Sequence, residues 1–590
     1  MGVRYLGPFF TRALRPDALW LLVPLVALLW SAMGADRAGW RELRAGEGTV
    51  LMQAESLQQD GDLTYERLDF ERHVVTRYGP PPDLALASGT GGRLITYDAS
   101  FVPALLFAAG LSIFGENGFI PINALLLIAA GFVSLRLLRR RLGPHAAPWL
   151  TVLIFGSFAF ASVFRATADA LVFSATLVAA ALVLGAELPS SPQPIRPARW
   201  FIAGALLSLA IFARWQNALL LLPFFLGVPS DGDAECRGSA RAGLAIGLLA
   251  GFGGQSMVLF WAGGGLGLID TVRFVFTPAS GFPLIDVPTE DWARTLEKLG
   301  ALHFIGAPRF AWGLEPGLVA QHGFYFFAGR HIGLLTYAAA PLLLLAFGLR
   351  RRVALALLVA GVVLMILTIA LEPFDLAAGG AAGNPLLLPL LAATLLAWRP
   401  KPEGWNLHLV TAGLLLFAAP FLASLWATPS APASEEGNQG QAPNHASWAA
   451  RHLLPYELSQ QRHPGRDYEH QGLRIRLLSA SLRERQPDVL AVDGAEKAHL
   501  WVASPLPLES LSLHFGEAAP ATIELLDARA ELLDRVLRAD GGVSFRARFP
   551  ARQHHMWWSP RPQWLYRVDF RLPAAGDERL DWHLTGEVAP

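Results

Sequence analysis

The feature that most constrains this chain is a succession of apolar runs set apart by short, arginine-bearing loops. A bilayer crossing needs about 20 consecutive apolar residues. Runs close to that length recur at 18–35, 118–135, 146–163, 168–186, 200–213, 215–228, 241–263, 331–349, 353–371, 384–398 and 405–427, about eleven candidate spans. Composition agrees. Hydrophobic residues make up 53% of the 590 and charged residues only 16%, against about 25% in soluble domains. Lys+Arg and Asp+Glu are equal at 48 each, so bulk charge gives no reason to expect a nucleic acid partner. The single cysteine, Cys236, excludes a disulfide framework and a cysteine-based zinc cluster.

Orientation follows from the basic residues, which collect on the cytoplasmic side of a membrane protein. Arg4, Arg12 and Arg15 precede the first run and predict an N-terminus inside. The run 101–114, "FVPALLFAAGLSIF", is too short to span and is expected to lie at the outer interface. The next run then crosses inward and leaves Arg136, Arg139, Arg140 and Arg141 in the cytoplasm. The same path puts Arg196 and Arg199, Arg237 and Arg241, Arg350 to Arg352, and Arg399 with Lys401 inside. The least regular point is the pair 200–213 and 215–228, both short, with Arg214 between them.

An odd number of spans puts the C-terminal part outside. Residues 428–470 read as a linker that opens with the Pro/Ser/Gly-rich "TPSAPASEEGNQGQAPNHA". Farther on the period becomes two. Leu511, Leu513 and Phe515 alternate with polar residues, as do Val543, Phe545, Ala547 and Phe549, and Val568, Phe570 and Leu572. This is the pattern of half-buried strands. The expected architecture is an all-α polytopic membrane domain over 1–427, with outer loops 36–98 and 265–330, and an extracytoplasmic β-sandwich over 471–590.

Polar groups held near a membrane are functional candidates by default. Residues 45–73 hold Glu47, Glu55, Asp60, Asp62, Glu66, Asp69 and Glu71. Carboxylates on a short amphipathic helix beside a span suit two tasks. One is a general base taking a proton from a hydroxyl; the other is a ligand set for Mg²⁺ or Mn²⁺. A merely solvated acidic face reads the same way in sequence. Arg93, Tyr97 and Asp98 precede the interfacial run, where they could face a lipid phosphate. Arg330 and His331 open the span 331–349, and an arginine there suits a phosphate because its planar fork pairs two oxygens. His322 is a candidate for lining a cavity. Arg165 and Asp169, between two spans, read as a mutual ion pair.

The layout resembles the GT-C superfamily of membrane glycosyltransferases. The likeness lies in a first span, a long outer loop opening on an acidic residue, a juxtamembrane apolar helix, many further spans and an outer C-terminal domain. Bacterial members often open the loop with G-D-E-P-x-Y-L followed by S-L-x-x-D-G-D-L. Here "GEGTVLMQAESLQQDGDL", Gly46 to Leu63, covers that stretch, and Ser56 to Leu63 match it well. "GRHIGLLTY", Gly329 to Tyr337, and "GGAAGNPLLLPLL", Gly379 to Leu391, are similar to later segments of such proteins. The chain departs from the pattern at Glu47, where Asp is expected, and at Gly48 and Leu51. The resemblance implies an inner-membrane, multi-pass enzyme that moves a sugar from a polyprenyl-phosphate donor to an envelope lipid, glycan or protein acceptor at the outer face. It implies Glu47 as base, with Asp60 or Asp62 assisting or holding Mg or Mn. Arg93, Tyr97, Asp98, His322, Arg330, His331 and Asn384 would line the substrate site. Two other readings remain open: a non-catalytic envelope assembly protein of the same fold, or a lipid or glycan transporter.

Overall fold

The computed structural model describes residues 18–35, 47–66, 68, 69, 72 and 73, 86–88, 95–97, 100–185, 197–228, 234–262, 323–329, 333–371, 383–399 and 406–427. It also describes parts of 449–454 and eleven strands between 467 and 588. The chain divides into two compact units. One comprises Met1–Ala311, Tyr337–Leu371 and Asn384–Ser430; the other comprises Trp312–Thr336, Glu372–Gly383 and Ala431–Pro590.

The first unit is helical. Its helices are α1 (Leu19–Gly34), α2 (Glu47–Gln59), α3 (Phe101–Phe114), α4 (Phe119–Leu142), α5 (Ala146–Phe155), α6 (Asp169–Gly185), α7 (Pro197–Ala213), α8 (Leu221–Gly227) and α9 (Ala234–Ala262). After these come α10 (Leu334–Leu344, which begins in the other unit), α11 (Arg351–Leu371), α12 (Leu388–Ala397) and α13 (Leu407–Ala427). Among the described residues, three helical runs are long and apolar enough to cross a membrane: Phe119–Phe155, Arg351–Thr368 and Leu407–Ala427. Shorter apolar helices include α1, α3, α6, α7 and α12. The pattern of burial is that of a bundle in an apolar solvent. The central α6 buries nearly every side chain, as a helix apolar all round must. Outer helices turn large apolar side chains outward, among them Val23, Trp30, Leu355, Leu358, Leu409 and Leu416. In water such a surface would be an aggregation liability; against lipid it costs nothing. Helices α7 and α9 approach so closely that a Cβ at Gly204 or Gly247 would strike a backbone carbonyl of the other helix. Small residues at such crossings are a device of membrane bundles.

The short run 101–114 is helical throughout as α3. Ser100 caps it by accepting the Val102 N–H at 3.4 Å, and Gly115, at φ +74°, ends it. Fourteen residues rise roughly 21 Å, less than the roughly 30 Å hydrocarbon core. The length suits a helix that does not cross.

Segments assigned to one side by their basic residues meet one another. Arg141 and Arg199 donate to the last carbonyls of α6, Leu184 O at 3.0 Å and Gly185 O at 3.4 Å. Both guanidinium groups thereby satisfy carbonyls left open at a helix end. The loops at 350–352 and 399 are tied by Arg350 N–H to Ala397 O and Arg399 N–H to Gly348 O. Trp149, opening α5, packs on Trp398, which closes α12.

The second unit carries two antiparallel sheets. The strands are β3 (Asp467–His470), β4 (Leu473–Leu477), β5 (Leu482–Gln486), β6 (Val489–Val492), β7 (Lys497–Ser504), β8 (Leu508–Phe515), β9 (Thr522–Asp527), β10 (Leu532–Leu537), β11 (Gly542–Arg546), β12 (Trp564–Arg571) and β13 (Arg579–Val588). A small hairpin, β1 (Leu86–Ser88) with β2 (Ile95–Tyr97), belongs to the first unit. The six-stranded sheet runs β10-β9-β12-β7-β4-β3, and the five-stranded sheet β11-β8-β13-β6-β5. The alternating runs read from sequence are β8, β11 and β12. Tyr566 and Val502 stand opposite each other in the register and are both fully buried, as period-two alternation requires. The first strand of the six-stranded sheet lies at 467–470, within the stretch read as linker.

Candidate functional site

Glu47 is the first residue of α2 and is completely buried. An acidic residue in the first turn suits the positive end of the helix dipole. The helix was expected to be amphipathic. Instead, all eight residues from Glu47 to Ala54 are buried, and α2 packs along α3. The Glu47 carboxylate reaches into the membrane helices, where its Oε1 accepts the Ala166 backbone N–H at 2.9 Å.

Ala166 lies in a break between membrane helices. Helix α5 stops at Gly156 and Ser157, the chain continues as a 3-10 segment, Phe158–Phe164, and α6 begins only at Asp169. A Gly/Ser pair is a usual place for a helix to break. Asn123 of α4 braces the break by donating to Val163 O at 3.2 Å and Arg165 O at 2.8 Å. A second break separates α7 from α8, with Arg214 at its head and a 3-10 segment at Trp215–Leu220. A third, Pro385–Leu387, precedes α12 and is capped by Asn384, whose Oδ1 accepts the Leu386 N–H at 3.0 Å.

The three breaks converge. Asp169 is fully buried and takes two arginines: Arg165 Nη1 on Oδ2 at 2.9 Å and Arg214 Nη2 on Oδ1 at 2.5 Å. Arg214 Nη1 also donates to Pro385 O at 3.3 Å. Irregular backbone at membrane depth is tolerated only where it is buried in protein or lines a cavity. Three such stretches meeting around two cations and two carboxylates make this the strongest candidate site among the described residues.

The other end of α2 is built differently. Gly61, at φ +80°, follows the helix in the left-handed conformation that ends many helices. Asp60 and Gly61 N–H return to Ser56 O. Ser56 Oγ donates to Asp62 Oδ1 at 3.3 Å, and Asp62 Oδ1 also accepts the Thr64 N–H at 3.1 Å. Asp60 takes both Arg72 Nη atoms, at 2.8 and 3.2 Å. Asp69 accepts the Glu66 N–H at 2.8 Å, and burial holds its carboxyl above the ordinary range. Tyr97 lies beside it, almost fully buried; burial and then the Asp69 charge push its phenol well above the ordinary value. His73 Nδ1 lies 3.1 Å from Glu55 Oε2, with the ring buried.

Comparisons with known proteins add one finding. Two solved structures resemble the chain, both of ArnT from Cupriavidus metallidurans. The apo form is 18% identical over 71% of this chain and 66% of that one, with a TM-score of 0.38. The form bound to undecaprenyl phosphate is 16% identical over 72% and 68%, with a TM-score of 0.39. The chain thus spans about two thirds of the ArnT length. At these values neither fold nor activity is carried across. No family model and no curated protein matches.

Of the residues singled out from sequence, Glu47 and Asn384 lie at the convergent breaks. Asp60, Asp62 and Tyr97 lie at the far end of α2. Arg93, Asp98, His322, Arg330 and His331 fall outside the described residues. Among the described residues no three His, Cys, Asp or Glu gather as a metal site. Both oxygens of Asp60 already face Arg72, and Asp62 closes a turn; a cation on this pair would have to displace those partners. Sequence reasoning missed Arg214 as a partner of Asp169. The signal was present, since an arginine between two apolar runs is costly unless it is paired.

Proposed function

We propose that the chain is a membrane glycosyltransferase that moves a sugar from a polyprenyl-phosphate donor to an acceptor hydroxyl at the outer face of the membrane. One observation carries the reading. Glu47, the acidic residue that opens the first outer loop, is buried against the break between α5 and α6, beside two arginines held by Asp169. A transferase of this kind needs a base for the acceptor hydroxyl and cations for the donor phosphate within one site. The resemblance of Gly46 to Leu63 to the GT-C first loop points the same way.

In this reading Glu47 takes the acceptor proton as the hydroxyl attacks the sugar carbon. One activated hydroxyl displaces the lipid phosphate directly, so the configuration at that carbon inverts. The mechanism needs no step through a metal. The eleven-span path puts the breaks, Glu47 and the β-sheets on the outer side. Strands that pass repeatedly between two sheets, as β7 to β13 do, are the connectivity of a sandwich, and we assign that fold to the C-terminal unit.

A second reading has its own observation. Broken helices meeting at a buried charge cluster are also how transporters build substrate sites. Purified full-length protein in liposomes, given a polyprenyl-phosphate sugar carrying labelled sugar and a mixed envelope lipid and glycan extract, separates the two. Label appearing in a new covalent product supports the transferase. Label that crosses the bilayer unchanged supports the transporter. Neither event with any polyprenyl-phosphate sugar would favour a non-catalytic assembly role.

A further inference from the structure

We infer that Glu55 and His73 are positioning residues for Glu47, acting through α2 as a rigid rod. The inference rests on the transferase reading for what Glu47 does, and on the structure for how Glu47 is held. Both carboxylates belong to α2, eight residues apart, which is a rise of roughly 12 Å. Each reaches outside its own helix. Glu47 Oε1 accepts the Ala166 backbone N–H at 2.9 Å, and Glu55 Oε2 lies 3.1 Å from His73 Nδ1. Eight helical steps also turn the two side chains roughly 80° apart about the axis, so together they restrain both the rotation and the sliding of α2. The Glu55–His73 contact is no surface pairing: the His73 side chain is 1% exposed and that of Glu55 12%. His73 Nε2 is buried with no hydrogen-bond partner among the described residues, so Glu55 is the polar group that fixes the ring.

The helix stop does not need this contact. Asp60 and Gly61 N–H return to Ser56 O, and Asp62 closes the turn with Ser56 and Thr64. Glu55 takes no part in that turn. What it does instead is join α2 to a second body. The segment carrying His73 is anchored by Asp69, which accepts the Glu66 N–H at 2.8 Å and lies 3.5 Å from Arg72. Asp69 lies beside Tyr97 of β2, whose ring meets that of Tyr65 edge to face at 5.8 Å. Three residues after Tyr97, Ser100 caps α3, and α3 is the helix along which α2 packs. His73 thus belongs to a frame continuous with α3, and Glu55 locks α2 to that frame. A base displaced by about 1 Å can lose on the order of 100-fold in rate, so a lock at one end of a rigid helix sets the reactivity of the group at the other.

The test uses the full chain in nonionic detergent and two readouts. The first is hydrogen exchange at the Ala166 amide, which reports whether Glu47 is in place and needs no turnover. The second is sugar transfer from a polyprenyl-phosphate sugar, resolved into kcat and donor KM. In Glu55→Ala and in His73→Phe, Ala166 should exchange at least about tenfold faster, the scale of one lost charge-assisted hydrogen bond. In the same variants kcat should fall about 10- to 100-fold, with donor KM within about twofold of the parent. Glu55→Gln keeps an acceptor for the imidazole N–H and should recover most of both losses. Asp60→Ala, in the turn at the same end of α2, should leave Ala166 exchange unchanged. Should His73→Phe fail to fold, Glu55→Ala decides, since Glu55 reaches the surface. Unchanged Ala166 exchange in a folded Glu55→Ala variant would overturn the inference, and so would faster exchange with unchanged kcat or a loss confined to donor KM. If the parent transfers no sugar, exchange alone decides: faster exchange in the variants keeps the lock on Glu47 and removes the transferase reading. If the parent transfers sugar and exchange does not change, the lock falls and the transferase stands.

Discussion

The two ends of α2 both carry carboxylates, and they use them in opposite ways. At the C-terminal end, Ser56, Asp60, Gly61 and Asp62 build a helix stop. Gly61 turns the chain, Asp62 and Ser56 close it, and Arg72 takes Asp60. At the N-terminal end, Glu47 leaves its own loop and bonds to the backbone of a broken membrane helix 119 residues away in sequence. The stretch that best matches the GT-C pattern, Ser56 to Leu63, thus has a sufficient local explanation. The residue that departs from the pattern, Glu47, is the one placed among the membrane helices. A motif can be well matched because a turn requires it, and chemistry is better sought where polar groups are held far from water.

The contrast can be broken or sharpened by experiment. The largest effect on stability should come from the membrane end. Replacing Asp169 by Leu leaves two guanidinium groups in a buried site without their anion, and breaking such a cluster costs about 3–5 kcal/mol. Thermal unfolding of the detergent-solubilised protein should show a large drop, and an unchanged midpoint would mean that the three breaks are not held by this carboxylate. The outer end should be far more forgiving. The Arg72–Asp60 pair is partly exposed, at 24% and 36% of the side-chain surface, and such pairs are worth about 0–1 kcal/mol. Asp60→Ala, which leaves Arg72 its contact with Asp69 at 3.5 Å, should therefore shift the midpoint slightly, and a loss as large as that of Asp169→Leu would erase the distinction.

The smallest effect is one of pH. Burial raises the Asp69 carboxyl in the folded protein. A carboxyl raised in this way binds its proton more tightly folded than unfolded. Its contribution is complete below the unfolded value, about 4, and is lost as pH rises through the higher folded value. Asp69→Asn does not titrate, so its stability relative to the parent should improve as pH rises across that window. Denaturant unfolding at a series of pH values checks this, and a difference that stays flat would show that the burial of Asp69 carries no such cost.

Much of the helical unit was legible in the sequence, because in a membrane protein length and polarity decide which segments are helical. The runs at 118–135, 168–186, 353–371 and 405–427 all fall on helices. The basic loops are brought together in pairs, as a common side requires. The Arg165–Asp169 pair was legible because two opposite charges stand close together between two apolar runs. Its third member was not: Arg214 is 45 residues farther on than Asp169, and nothing local links them. The break at Gly156 and Ser157 has no proline to announce it, and within an apolar run it reads as continuous span. His73 and Glu55 pair across 18 residues of a polar loop, beyond the reach of periodicity. Among the strands, β8, β11 and β12 announce themselves by alternation. β9, "TIELLD", and β10, "LLDRVL", place two apolar residues side by side and lose the period.

The central claim is that the membrane end of α2 carries the chemistry and the outer end does not. The most direct test is a side-by-side measurement of sugar transfer by Glu47→Gln and Asp60→Asn, each compared with the parent at saturating donor. Glu47→Gln keeps the side chain's shape and its capacity to accept the Ala166 N–H, and removes the base. General base catalysis is worth roughly 100- to 10,000-fold, so its turnover should fall by that order, while Asp60→Asn stays within about threefold of the parent, the factor that a sub-kcal/mol perturbation allows. The reverse pattern, with Glu47→Gln active and Asp60→Asn dead, would contradict the account and move the chemistry to the other end of the helix.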